Sequence, residues 1–359
     1  MGTSSRKIQV VALYLPQYHP IPENDAWWEP GFTEWTNVTK AKPLFRGHAQ
    51  PNLPSELGFY DLRVPEVREQ QAMLARTNGV SAFCYYHYWF GDGRRLLARP
   101  FDEVVASGQP DFPFMVCWAN QTWSGVWHGL DKRVLVEQRY PGRADEAAHF
   151  ASLLPAFQDD RCLRVNGKPV FMVYAPSELP NSRLFAQHWR TLAEAAGLPG
   201  LYLLAEHPDP SWDARGAGFD AFVLKPSFMR RRSWVPWNQP ILKIVSKFKD
   251  MLGMPSRFDY TSTLPYFLPD KASELAIPCV LPNWDNTPRS GARGVVFDNA
   301  TPERFGVALD RAIEMCNRRQ AEDNFLFIKS WNEWGEGNHL EPSRRYGRGF
   351  LDQVRSRFT

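Results

Sequence analysis

Residues 327–342 read FIKSWNEWGEGNHLEP. Glu333 and Glu336 stand three residues apart, among Trp331, Trp334, Gly335 and Gly337, directly after an apolar run. An apolar wall disfavours the charged form of a carboxyl group, and a second carboxylate nearby disfavours it further. One glutamate can then hold its proton at neutral pH while the other stays charged, the division of labour that cleavage of a glycosidic bond requires. Gly335 and Gly337 permit a tight or positive-φ backbone around the acids. The competing reading makes both acids surface residues that cap a helix or pair with Arg344 and Arg345. It fits poorly with a strand end crowded by tryptophan and glycine.

Such a pair needs a rigid frame. Eight short apolar, β-branched or aromatic runs read as strands: Ile8–Tyr14, Val80–Tyr86, Phe114–Trp118, Pro169–Tyr174, Leu201–Glu206, Ala221–Lys225, Ile277–Pro282 and Phe325–Ser330. Most are continuously apolar, as strands covered on both faces are. Helical patterns over Val64–Asn78, Asp145–Phe157, Ser182–Ala196 and Thr301–Asn317 alternate with them. Thr301-Pro302-Glu303 supplies a cap, a first-turn proline and an acid in one helix's first turn. The alternation predicts an α/β fold, a (β/α)8 TIM barrel forming a single catalytic domain over residues 1–359. A doubly wound sheet is the alternative, but no glycine-rich turn follows the first strand.

In a barrel, catalytic groups gather at the C-terminal ends of strands. Those ends are rich in polar and aromatic residues here: Tyr14, Gln17 and His19; Tyr86 and His87; Trp118, Asn120 and Gln121, with Trp123 and Trp127 beyond; Tyr174; Glu206; Asn283, Trp284 and Asp285; Asn332 and Trp334. All but Trp123 and Trp127 are taken as substrate-binding candidates beside catalytic Glu333 and Glu336, with Asp285 a reserve carboxylate. Glu341 reads as structural, paired with an arginine. His19, His87, Glu206 and His207 include metal-ligand types but show no HExxH-like spacing, so neither metal nor cofactor is expected.

Aromatic residues make up 14 % of the chain, enough to line a sugar-stacking cleft or to fill a tryptophan-rich core. A net charge of +3 gives no reason to expect nucleic acid. Five scattered cysteines without a CxxC suggest neither disulfide framework nor zinc site. Met1–Lys7 leads into a strand without a signal-peptide-like stretch, and no run approaches membrane-spanning length, so a cytoplasmic protein is expected. Two long insertions interrupt the barrel pattern. The first βα loop, 16–60, reads as a cap or cleft wall. The second insertion, 226–265, falls between strands 6 and 7 and holds Arg230–Arg232 and the amphipathic ILKIVSKFKDML. It reads as an outer helix docked on the barrel, with weak peripheral membrane contact through 230–254 as the alternative.

The long first-loop stretch from Ala12 to Arg63, with FCYYHYWF, RPFDEVV, FPFMVCWAN and SWNEWGEGNHLEP, resembles the WbsX-type family over residues 8–353. That family is related to glycoside hydrolase family 99 and shares its (β/α)8 fold. The resemblance implies a retaining glycosidase acting on a bacterial surface polysaccharide or related glycan, with a mannose- or rhamnose-like sugar. Glu333 would be base toward the sugar 2-hydroxyl and Glu336 acid, then base. The residues alone support a carboxylate pair and leave open a direct glycosyl-enzyme. WbsX-type proteins often accompany surface-polysaccharide genes and carry the label glycosyltransferase, so transfer in O-antigen synthesis is the rival function, although no DxD-like or phosphate-loop motif is placed for it. Gln121 stands where the family commonly has glutamate in WANENW, which prompts a third reading, a catalytically lapsed glycan-binding protein.

Overall fold

The computed structural model describes residues 7–125, 133–226 and 254–359. Eight parallel strands form the core: β1 (Gln9–Tyr14), β2 (Ala82–Trp89), β3 (Phe114–Trp118), β4 (Lys168–Val173), β5 (Tyr202–His207), β6 (Ala221–Leu224), β7 in two pieces (Ala276–Ile277 and Cys279–Val280) and β8 (Phe325–Ile328). Each pairs with its sequence neighbour, and β1 pairs with β8. Pro278 splits β7 because it has no N–H to give the ladder. One piece pairs with β6 and the other with β8, which closes the ring.

Eight strand segments were thus legible, with shifted ends: β2 runs three residues further than its apolar pattern suggests, and β7 stops at Val280. Valine, phenylalanine and leucine fill the strands because both faces are covered, one by the barrel interior and one by helices. Outer helices follow: α3 (Pro65–Thr77), α4 (Arg99–Ser107), α5 (Arg143–Gln158), α6 (Ser182–Ala195), α9 (Pro302–Arg318) and α10 (Gly349–Phe358), preceded in the first loop by α1 (Pro22–Trp27) and α2 (Glu34–Lys40). Thr301 caps α9, its side chain accepting from Arg304 N.

The first loop folds down onto the barrel mouth. Glu34 N donates to Gln17 O at 3.0 Å, and Trp35 Nε1 to Tyr60 O at 2.8 Å. Of the second insertion, the described part holds Ser256–Asp259, paired in parallel with Val295–Asp298, and α7 (Tyr260–Phe267). Arg230–Arg232 and the amphipathic stretch through Leu252 lie outside the described residues, as does Trp127. No described helix is long and apolar enough to cross a membrane.

Candidate active site

The chain leaves β8 through Lys329 and Ser330 and enters a hairpin in which Asn332 pairs with His339 and Glu333 with Asn338. Asn332 pins this exit to the end of β1. Its Oδ1 accepts from Leu15 N at 2.8 Å, and its Nδ2 donates to Leu15 O at 3.0 Å. Tyr18 OH donates to Asn332 O and accepts from Trp334 N. Between the two acids the backbone makes one 3-10 turn, Trp334–Glu336, closed by Gly337 at φ +62°.

Arg289, on the short helix α8 (Thr287–Ser290), gathers three carboxylates. Its Nη1 donates to Glu336 Oε1 at 2.7 Å and to Glu333 Oε1 at 3.2 Å, while Nε donates to Glu34 Oε1 at 2.8 Å. Ser330 Oγ donates to Glu333 Oε2 at 3.1 Å. Glu336 is only 7 % exposed. Burial, reinforced by the charge of Glu333, pushes its carboxyl up to about 8 against the opposing pull of Arg289 and Lys329. Glu336 therefore carries a proton at neutral pH. The nearby Glu341, lifted by burial to about 7, accepts from Tyr60 OH, Gln71 Nε2 and Trp334 Nε1 and, among the described residues, pairs with no arginine.

Both acids open onto a cavity of about 720 Å³. Trp27, Trp28 and Glu34 from the first loop, Trp123 beyond β3 and Trp284 beyond β7 wall it. Of the substrate-binding candidates, Gln17, Tyr86, Gln121, Tyr174, Glu206 and Trp284 line it. The others do not, and strand alternation explains three of them. Tyr14, His87 and Trp118 point out of the barrel, toward the helices. Tyr14 OH donates to Gln71 Oε1 on α3, His87 meets His149 on α5 at 2.9 Å between ring nitrogens, and Trp118 Nε1 donates to Trp89 O. Burial pushes His87 down to about 3.

His19 is buried in the first loop. Asn120 is a backbone clamp, bonded to both N and O of Ala175. Asn283 lies behind Gly337, and Asn332 is the β1 clamp already described. Trp334 stacks on His339 with ring centroids 3.6 Å apart. Asp285 accepts from His48, Gln50 and Thr287. Neither His19, His87, Glu206 nor His207 belongs to any group of three metal-ligating side chains among the described residues.

Three residues went unnoticed in the sequence: Glu34, Arg289 and Lys329. A lysine closing the apolar run FLFI was a readable signal for the last. Glu34 and Arg289 sit on short helices, α2 and α8, too brief to show a period, and only the fold brings them to the carboxylates.

The fold is thus a closed (β/α)8 barrel, with Glu333 and Glu336 buried together just past the end of β8. The chain belongs to the WbsX family, whose model, described as glycosyltransferase WbsX, matches residues 10–354. It is 39 % identical over 365 residues to proteins named WxcX from two strains of Xanthomonas campestris pv. campestris. The match covers 98 % of this chain and 49 % of each relative, so the chain spans about half their length. In fold it is similar to the family 99 glycoside hydrolase endo-α-mannosidase of Bacteroides thetaiotaomicron, at TM-score 0.57 and 14 % identity, covering 97 % of this chain and 95 % of that one. A solved glycoside hydrolase-like protein gives TM-score 0.61 at 14 % identity, covering 100 % and 96 %.

Proposed function

We propose that the chain is a retaining glycoside hydrolase acting on a bacterial surface polysaccharide or related glycan. The observation that carries this reading is Glu336, neutral near pH 7 and sharing Arg289 Nη1 with Glu333 at the edge of an aromatic cavity. Contacts of 2.7 and 3.2 Å to one nitrogen keep the two oxygens within roughly 6 Å. That is nearer the carboxyl spacing of retaining enzymes than that of inverting ones, which leave room for a water.

Glu336 protonates the departing glycosidic oxygen as the C1–O bond breaks. In the route the family resemblance implies, Glu333 takes the 2-hydroxyl proton while O2 closes on C1, giving a 1,2-anhydro sugar. Glu336, now a carboxylate, takes a proton from water as the water oxygen bonds to C1 and the C1–O2 bond opens, its electron pair going to O2, to which Glu333 returns its proton. Trp27, Trp28, Trp123 and Trp284 offer flat apolar faces to sugar C–H groups and exclude bulk water, which strengthens each charge effect inside. Gln121 supplies a hydrogen bond to a hydroxyl, and the acid–base work falls on the β8 pair.

The test is incubation with a panel of aryl glycosides and polysaccharides, without nucleotide sugar, and measurement of released reducing ends. Cleavage by the wild type that Glu336→Gln abolishes while keeping its fold supports the reading. The family description favours transfer as the second reading. Thermal stabilisation by a nucleotide sugar or nucleoside diphosphate, with no hydrolysis, would select it.

A further inference from the structure

Glu34 is the first residue of α2, in the loop that folds down from β1, and it is fully buried. Its Oε1 accepts from Arg289 Nε at 2.8 Å and from Asn37 Nδ2 at 3.1 Å. Arg289 Nη1 donates to Glu336 and Glu333. One guanidinium thus serves a carboxylate from the first loop and the two acids after β8. Burial works against the charge of Arg289, and of the carboxylates that outweigh it Glu34 contributes most. Glu34 is therefore the chief counter-ion of the cation that touches Glu336.

The charges around Glu336 decide what that contact does. Burial and Glu333 hold the proton on Glu336, while Arg289 and Lys329 pull it off. Lys225 and Glu206, 3.6 Å apart, balance each other. Glu178 is exposed at the cavity rim, where water screens it. Asp285 pairs with His48 at 2.7 Å, and Lys40, at the far end of α2, pairs with Glu29 at the surface. Burial holds the phenols of Tyr18, Tyr86 and Tyr88 well above their usual range, so they stay neutral. It pushes His339, stacked on Trp334, down to about 4, so that ring is neutral as well. Among the described residues this leaves the cations Arg289 and Lys329 against the anions Glu34 and Glu333. An ionised Glu336 would add an unbalanced charge to a buried site, which is unfavourable. Without the charge of Glu34 the balance inverts, and ionisation of Glu336 would restore it.

We propose that Glu34 is a positioning residue for the general acid: by occupying Arg289 it stops the guanidinium from drawing the proton off Glu336. The first loop then does more than wall the cavity, since it delivers the charge that keeps Glu336 an acid. The assignment rests on reading Glu336 as the acid of a glycoside hydrolase.

The test follows the Glu336 carboxyl directly, by carbon NMR titration of the full chain isotope-labelled at its glutamate carboxyls, with the Glu336 signal identified by its loss in Glu336→Gln. In Glu34→Gln, whose amide oxygen still accepts from Arg289 Nε, the Glu336 midpoint is expected to fall by about one pH unit or more. Glu34→Asp keeps the charge and should hold the midpoint closer to the wild-type value. The double variant Glu34→Gln/Arg289→Gln removes both members of the pair, and its midpoint should return toward that of the wild type. It should also lie below that of Arg289→Gln alone, a comparison that carries the test if Glu34→Gln by itself does not fold. A midpoint left unmoved or raised by Glu34→Gln in either background, or shifted equally by Glu34→Asp, overturns the proposal. On an aryl glycoside that the wild type cleaves, the alkaline limb of kcat/KM should move down with the midpoint. Cleavage by the wild type with an unmoved midpoint in Glu34→Gln leaves the hydrolase and removes this role of Glu34. A lowered midpoint without cleavage of any glycoside keeps the charge arrangement and removes the hydrolase.

Discussion

A Cβ atom on Gly335 would overlap Glu34 Oε1. The same atom would stand 2.9 Å from Arg289 Nε. The glycine between the two acids is therefore required by what packs against it, since the Glu34–Arg289 ion pair occupies the space of any side chain. Gly335→Ala is expected to push Glu34 off Arg289 and tilt the guanidinium that aligns Glu333 and Glu336. A shift of this size costs about 100-fold in turnover. Overpacking itself costs about 1–3 kcal/mol. Initial rates and urea unfolding of the variant measure both, and a variant with unchanged kcat would show that the pair needs no such alignment.

The frame was legible because buried parallel strands write themselves as apolar runs, and the strand ends told which face to search. Direction around each strand was the part that went unread. Tyr86 and Tyr88 face the cavity while His87, between them, turns outward to His149. The same alternation sends Tyr14 and Trp118 outward and leaves Leu15 and Ala119 at the mouth. A period of two, carried past each strand end, would have sorted these residues. It would not have found Arg289 or Glu34, whose approach to β8 depends on how two loops fold over the mouth.

The pH dependence of stability follows from Glu336. Folded, it keeps its proton to about pH 8, against an ordinary carboxyl value of 4.5. Between those values the folded chain binds more protons than the unfolded chain, so stability falls as pH rises across the window. Glu336→Gln removes this contribution and keeps an acceptor for Arg289. Its advantage over the wild type should grow from the acid end of the window to the alkaline end, by on the order of 3 kcal/mol. Urea midpoints at several pH values from about 5 to about 8 check the trend. A difference that stays constant with pH would mean the carboxyl titrates alike in both states.

Arg289 lowers the Glu336 carboxyl that burial and Glu333 raise. In Arg289→Gln that opposing pull is gone, and Glu336 is expected to hold its proton to still higher pH. The alkaline limb of the kcat/KM profile should then move upward. The maximal rate should fall about 10²-fold or more as Glu333 and Glu336 lose their common partner. The combination is diagnostic: a loss of rate with an unmoved alkaline limb would assign that limb to another group.

Asp285 sits behind the site and positions Arg289. Its Oδ2 accepts from His48 Nε2 and from Gln50 Nε2, each at 2.7 Å. Its Oδ1 accepts from Thr287 Oγ1 at 2.6 Å and from Thr287 N at 3.1 Å, which fixes the start of the helix that carries Arg289. Its own N–H donates to Glu336 O at 2.7 Å. A carboxylate with both oxygens occupied in this way is unsuited to proton transfer with a sugar. Asp285→Asn would turn an amide N–H₂ toward groups that are themselves donors, leaving buried polar atoms unmatched at about 1–3 kcal/mol. The expected result is a lower Tm together with a reduced kcat and an unshifted pH profile, because the acid itself is untouched. Asp285→Glu should recover part of the Tm and little of the rate, since an added methylene moves the helix that aims Arg289. Thermal melts with pH–rate profiles decide it: a shifted alkaline limb in Asp285→Asn would make Asp285 a proton-transfer group after all.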